Sequence, residues 1–312
     1  MKLSVLMSVR NGAQFLPNSI KDIESNVSID DEILIIDDGS QDETGNLLRD
    51  WERVNSRVRI ITMKPIGFVR ALNLGLKEAS NDWIARFDVD DRYPNNRLGT
   101  QRAIVSRETS AIFCDYEFWA EAHASLGVIP SAIFPSATAV SLVSSQRTPH
   151  PGVLFNRLCV IESGGYRDDD FPAEDISLWL RMAKFGNLIT APQVLLNYRL
   201  SQKSISGSNR NLALRKTQRL IQEIGLDTKS IDNCLENWHD IFDKYSNVDL
   251  GSERKVLLYR DLKKSLQYSK KASRSSFESN LILFSLAKQR GTLPALYNLT
   301  QGKILRQKFR KY

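Results

Sequence analysis

Three carboxylates crowd the stretch Trp83-Ile84-Ala85-Arg86-Phe87-Asp88-Val89-Asp90-Asp91-Arg92-Tyr93-Pro94. Its first half is apolar enough for a buried strand, so Asp88, Asp90 and Asp91 would emerge where that strand ends. Like charges this close repel, and a carboxylate taken out of water without a partner is costly. Acids at such a place call for a cation. Oxygen ligands on a short turn suit Mg²⁺ or Mn²⁺, which share their coordination with substrate phosphates. The alternative is an Asp-rich surface turn that caps the following helix. A second acidic pair, Glu174-Asp175, stands just before Ile176, Leu178, Trp179, Leu180 and Met182. That pattern places both acids in the first turn of a helix buried on much of its circumference.

The elements that must position these groups follow in order. Leu3 to Val9 is a short apolar run closed by Asn11-Gly12, a strand running into a turn. Phe15, Leu16, Ile20 and Ile23 recur at helical spacing. Glu32 to Ile36 is a second strand ending in Asp37-Asp38-Gly39-Ser40, and Val58 to Thr62 is a third. Gly67 opens a helix with Ala71, Leu72, Leu76 and Ala79 on one face, and Trp83 begins the fourth strand. Residues 95–107 read as a helix, 111–119 as a strand, 153–155 as the entry to a strand and 194–200 as a last strand, while 125–143 mixes signals. Strands alternating with helices at this spacing predict a parallel α/β sheet covered on both faces. Ligands in such sheets sit outside the carboxyl ends of the strands, where the strand order reverses. Ser8-Val9-Arg10-Asn11, Asp37-Asp38-Gly39-Ser40 and Asp88-Val89-Asp90-Asp91 would then line one crevice. Neither a Gly-x-Gly-x-x-Gly nor a Gly-x-x-x-x-Gly-Lys-Ser/Thr follows the first strand. An acid-lined crevice takes phosphate only through a metal, and takes ribose hydroxyls or a base N–H directly.

Composition bounds the rest. The 312 residues can bury a full core, and 42% hydrophobic with 25% charged residues is ordinary for a globular protein. No apolar run approaches the roughly 18 residues of a membrane span. The opening residues read as a first strand and not as a signal peptide. Cys114, Cys159 and Cys234 are widely spaced and odd in number, which favours reduced thiols and a cytoplasmic setting. Charge is uneven: residues 203–312 hold 22 of the 43 Lys and Arg but 10 of the 36 Asp and Glu, a balance of +12, against −5 for the remainder. That segment is helical in character, and its sign suits an anionic membrane surface or a nucleic acid. A solvated helical face is the plain alternative.

Taken in order, these pieces resemble a family-2 glycosyltransferase with the GT-A fold. The resemblance rests on residues 3–12, Ile35-Ile36-Asp37-Asp38-Gly39-Ser40 with Asp42 and Thr44, and Gly67 with Ala71-Leu72-Asn73. It continues through residues 84–91, Arg97, His150, Gly164-Gly165-Tyr166-Arg167, Glu174-Asp175, Leu178-Trp179-Leu180-Arg181 and Tyr198-Arg199. Within the family, tail and spacing are most similar to bacterial enzymes that add N-acetylglucosamine to lipooligosaccharide. The resemblance implies a GT-A catalytic domain over 1–202, with a nucleotide half to about residue 110, and a basic helical region over 203–312. It implies an inverting, metal-assisted transfer from a UDP-sugar to a glycan hydroxyl; the basic tail adds the expectation of peripheral attachment at the inner face of the membrane, where a lipid-linked glycan would be presented.

The same resemblance assigns roles. Asp38 accepts from the uracil N–H, and Ser8, Arg10, Asn11, Gly67, Asn73 and Arg86 border the donor. Asp88 and Asp90 hold ribose and metal, with Asp91 a second candidate ligand. Asp175 is the general base, Glu174 stands beside it, and a helix N-terminus would keep Asp175 ionised. Trp179 is either core or a stacking face for the acceptor near Gly165 and Tyr166. His150 is either a solvated loop residue or a contact to phosphate or metal. Two departures stand out. Arg10 occupies a place where relatives carry an aromatic residue, and Leu200-Ser201-Gln202 supplies no His after Tyr198-Arg199. Alternatives within the class are glucose, galactose or N-acetylgalactosamine donors. A sugar nucleotidyltransferase would need a Gly-rich basic loop where Arg10-Asn11-Gly12 stands. A nucleic-acid-binding protein acting through its tail would leave the acidic crevice unexplained.

Overall fold

The computed structural model describes residues 1–120 and 148–199, the backbone of 123–129, and a few positions between 209 and 220. The 125–143 stretch beyond β6, and nearly all of the basic segment with its expected amphipathic helices, lie outside the described residues.

The first four strands are β1 (Ser4–Val9), β2 (Glu32–Asp37), β3 (Val58–Thr62) and β4 (Trp83–Arg86), separated by α1 (Leu16–Asn26), α2 (Thr44–Val54) and α3 (Phe68–Glu78). There follow α4 (Arg97–Ala103), β5 (Thr109–Ala120), β6 (His123–Ile129), β7 (Leu154–Asn156), α5 (Arg157–Glu162), α6 (Glu174–Met182) and β8 (Asn187–Arg199). The eight strands join one sheet in the order β3-β2-β1-β4-β7-β5-β6, with β8 also on β5. Strands β1 to β4 pair in parallel, β7 runs antiparallel between β4 and β5, and β8 is parallel to β5. This is the mostly parallel, helix-flanked sheet that the alternating sequence predicts.

Alternation along the strands explains the layers. Val5, Met7, Ile33 and Ile35 turn to one face, where Leu16, Ile23, Leu48, Trp51 and Leu98 cover them. Leu6, Leu34 and Ile36 turn to the other, against Leu72, Leu76, Trp179 and Leu180. Strands buried on both faces are continuously apolar, as β1 and β2 are. The α3 helix lies close on β1 because Gly75 has no side chain: a Cβ there would stand 2.2 Å from Leu6 Cδ1. Strand order reverses on either side of β1, so the ends of β1, β2 and β4 open on one crevice.

Several elements differ from the sequence reading, α5 at Arg157–Glu162 among them, which has no counterpart there. α2 has too few spaced apolar residues to stand out, burying only Thr44, Leu48 and Trp51. β8 starts at Asn187, ahead of the expected 194, because Pro192 and Gln193 are carried as a bulge where the register jumps from Ala191 to Val194. α4 covers Arg97–Ala103 and not the longer 95–107.

Candidate active site

The β1 and β2 ends are stapled to one another. Asn11 takes a left-handed φ of 54°. Its N–H donates to Ser40 Oγ at 2.9 Å, and its side-chain oxygen accepts from the Gln41 N–H at 2.8 Å. The Gly12 N–H donates to Thr44 Oγ1 and the Ala13 N–H to Asp42. Asp38 is buried, and its two oxygens accept from the N–H groups of Ile66 at 2.6 Å and Gly67 at 3.1 Å. Its carboxylate therefore ties down the loop that starts α3, and each oxygen keeps a lone pair for a further donor. Gly67 has φ of 93° and open space where a Cβ would stand, so backbone conformation and not crowding selects glycine. Ser8 is half-buried and Arg10 exposed beside this corner.

The aspartate turn divides its acids between two jobs. Asp88 is partly exposed and pairs with the fully buried Arg86, whose guanidinium lies 5.7 Å from the Phe68 ring centre. Asp90 faces Arg199 at 3.5 Å, and burial together with the Asp88 charge raises its pKa. Asp91 is not exposed for a ligand's role. It is buried, its carboxylate accepts from the Arg199 N–H at 2.7 Å, and burial with its two aspartate neighbours pushes its pKa well up. Among the described residues no group of three or more His, Cys, Asp or Glu is arranged to hold a metal. Two partly exposed carboxylates, one of them (Asp90) with its proton affinity raised by burial and by the charge of the other, nevertheless suit a divalent cation that takes its other ligands from phosphate and water. The donor set fits through Asp88 and Asp90 alone.

His150 lies elsewhere. It is buried in an aromatic box, its Nε2 2.8 Å from Tyr166 Oη, its ring edge-on to Phe68 and Trp179. Burial and the nearby Arg86 hold its pKa well below the usual range, so it is a neutral core histidine. Trp179, the other ambiguous residue, is 0% exposed and packs on Phe113 and Phe155. It is core and presents no face to an acceptor. Tyr166 is buried too. Asn73 turns its amide to the Tyr166 backbone: it accepts from the Tyr166 N–H at 3.0 Å and donates to the Tyr166 carbonyl at 2.8 Å. Gly165, with φ of 64°, leaves room for that clamp, since a Cβ would stand 3.0 Å from Asn73 Oδ1. Arg181 seals the turn by donating to the carbonyls of Ser163 and Gly165.

The acidic pair occupies the first turn of α6, as the pattern predicts. Glu174 is 5% exposed and its Oε2 has no hydrogen-bond partner. Burial and the Asp175 charge push it up to about 8. Asp175 accepts from the Ile176 N–H at 2.7 Å, yet burial raises its pKa to about 6, with the Asp88 charge adding to the shift. Asp175 is thus ionised at neutral pH, as expected of an acid at a helix N-terminus, although desolvation outweighs the dipole and lifts it above the usual carboxylate range. An Asp near 6 is ionised at neutral pH and accepts a proton far more readily than a solvated one. The Arg86–Asp88 and Arg199–Asp90 pairs went unread in the sequence, because the second joins groups more than a hundred residues apart.

Residues 4–118 match the model of Glycosyl transferase family 2. Over 214 residues the chain is 28% identical to the Escherichia coli UDP-Gal:alpha-D-GlcNAc-diphosphoundecaprenol beta-1,3-galactosyltransferase, covering 65% of this chain and 76% of that one. A putative teichuronic acid biosynthesis glycosyltransferase, TuaG of Bacillus subtilis, is 23% identical over 71% of this chain and 88% of its own. Among solved structures, residues 1–349 of S. aureus TarS in complex with UDP-GlcNAc superpose with a TM-score of 0.59 at 14% identity, covering 86% of this chain and 82% of that one. The mannosyltransferase PcManGT of Pyrobaculum calidifontis with GDP-Man and Mn²⁺ gives 0.53 at 14% identity, over 95% and 83%. At such identities the two structures speak for the fold, which is GT-A.

Proposed function

We propose that this chain, whose residues 4–118 match the model of Glycosyl transferase family 2, moves a sugar with inversion from a UDP-sugar to a hydroxyl of a surface-glycan acceptor. The observation that carries the reading is the opening of the β1, β2 and β4 ends on one crevice, with the buried Asp38 and the partly exposed Asp88 and Asp90 at those ends. The donor lies over the ends of β1, β2 and β4. Asp38 has acceptor capacity left for a base N–H, and Ser8, Arg10 and Asn11 border it. Asp88 and Asp90 would hold a Mn²⁺ or Mg²⁺ ion, which would supply the positive charge that a departing diphosphate needs. Asp175 takes the proton of the acceptor hydroxyl as that oxygen attacks the anomeric carbon, and Glu174, carrying its own proton at neutral pH, keeps a second negative charge away from the base.

N-acetylglucosamine is the donor sugar we put first, with galactose, glucose and N-acetylgalactosamine as alternatives; the relatives' names include both a UDP-Gal user and a neighbour bound to UDP-GlcNAc. A lipid-diphosphate acceptor is supported by the name of the E. coli relative. No helix among the described residues is long and apolar enough to cross a membrane. The +12 balance of residues 203–312 supports attachment to an anionic leaflet from the cytoplasmic side. Hydrolysis of a panel of UDP-sugars with Mn²⁺ or Mg²⁺ tests the assignment. Asp90→Ala is expected to lose UDP affinity, and Asp175→Asn to bind UDP normally with turnover reduced at least about a hundredfold, the scale of general-base catalysis. Full turnover by Asp175→Asn, or UDP binding indifferent to chelation, overturns it.

A further inference from the structure

Trp119 of β5 stands opposite Arg199 of β8 in the parallel register, and Arg199 is the residue paired with Asp90. One strand from the aspartate turn there is thus a half-buried indole. Its N–H donates to the Asn197 carbonyl at 3.0 Å, which fixes the ring by its edge alone. The ring forms a wall of a cleft of about 370 Å³, with Asp22, Arg92, Pro94, Asn95 and Asn197 around it. Small-molecule sites span about 300–1,000 Å³.

The cleft is built to hold its shape. Arg92 grips Asp22 with Nε at 2.8 Å and Nη2 at 3.0 Å, and the Tyr93 N–H donates to the same carboxylate at 2.9 Å. Backbone bonds between Arg92 and Asn197, at 3.1 and 2.9 Å, close the far side. The Ser25 hydroxyl lies 2.8 Å from the Asp22 carbonyl and 3.0 Å from the Asn95 side-chain amide, which ties that amide to α1. The two full charges in the wall neutralise each other, so the cleft selects an uncharged ligand. An aromatic face beside planar polar groups suits a pyranose, which offers C–H bonds to a ring and hydroxyls to amides and guanidinium.

We propose that this cleft is a carbohydrate subsite for the acceptor glycan, holding the sugar unit next to the one being glycosylated, with Trp119 as its stacking face and Asn95 and Arg92 as its hydrogen-bonding partners. The proposal rests on the glycosyltransferase reading. It also supplies the aromatic platform that the buried Trp179 does not provide.

The test uses the full chain, the UDP-sugar it hydrolyses, and octyl β-glycosides of N-acetylglucosamine, glucose, chitobiose and cellobiose as acceptors. Trp119→Ala is expected to raise the KM for the disaccharide glycosides about 3- to 10-fold, the value of one aromatic contact. KM for the monosaccharide glycosides and acceptor-free UDP-sugar hydrolysis should stay as in the wild type, and Trp119→Phe should restore most of the loss. Equal shifts for long and short acceptors, or no shift for either, overturn the subsite. Should the wild type consume no UDP-sugar at all, the enzymatic reading fails. Saturation-transfer NMR with free chitobiose and cellobiose then decides the subsite separately: signal lost in Trp119→Ala supports it, and equal signal in both proteins overturns it.

Discussion

At the scale of single residues, the site's behaviour follows from two carboxyls whose proton affinities burial has raised. Asp175, near 6, works only when ionised, so kcat/KM for transfer should climb with pH through about 6 and level off above it. Because Glu174 and Asp175 interact, that acid limb belongs to the pair. A profile flat between pH 5 and 8 would exclude Asp175 as the base. Glu174 carries a stability signature as well. Its folded value of about 8 stands above the model-peptide 4.5, so the folded state binds the extra proton between those limits. The resulting stability is fully present below about 4.5 and is gone once pH has risen past about 8. Glu174→Gln imitates the protonated form. Its melting temperature should match the wild type at pH 5 and exceed it at pH 8.5, by about 2–4 °C for each kcal/mol recovered. A variant that melts lower at both pH values would mean the carboxylate has a partner that the fold conceals. The acids themselves were legible because each group is contiguous in the chain. Their partners were not, since Arg199 meets Asp90 only through the pairing of β8 with β5.

At the scale of elements, the strands with unbroken apolar runs were legible and the lightly anchored pieces were not. β1 and β2 declare themselves because both faces are covered. α2 hides because its exposed face dominates its composition, and β8 hides its first half behind Pro192. Gly75 shows how a contact overrides local preference. In a free helix Gly→Ala gains up to about 1 kcal/mol. Here the new methyl would stand 2.2 Å from Leu6 Cδ1, and forcing a packed seam apart costs about 1–3 kcal/mol. Gly75→Ala should therefore lower the melting temperature, and Leu6→Val in the same chain should recover part of the loss. Stabilisation by Gly75→Ala alone would show that α3 stands further from β1 than described.

At the scale of the whole molecule, the question is what sets the distance between the donor corner and the base. Strand β7 bridges β4 and β5 by only a few paired residues, Ala85 with Leu154 and Ile112 with Leu154 among them. Side chains make a second tie across the same gap. Asn73 on α3 binds both backbone groups of Tyr166, and Tyr166 in turn holds His150, which packs on Trp179 of α6. α3 starts at the loop that Asp38 secures, and α6 starts with Glu174 and Asp175. One amide thus links the loop proposed to border the nucleotide to the helix that carries the proposed base. No motif could announce this, because the two partners lie 93 residues apart and each looks ordinary alone. Removing the amide leaves two backbone groups of a buried tyrosine unpaired, a cost of about 1–3 kcal/mol for a buried polar group. Were Asn73 a direct ligand of the donor, Asn73→Ala would weaken UDP binding first. As a clamp it should leave UDP affinity within about threefold of the wild type while kcat for transfer falls at least about tenfold, since small misplacements at a reacting centre are expensive. Calorimetry with UDP alongside steady-state transfer kinetics separates the two, and a loss confined to UDP affinity would return Asn73 to the donor site.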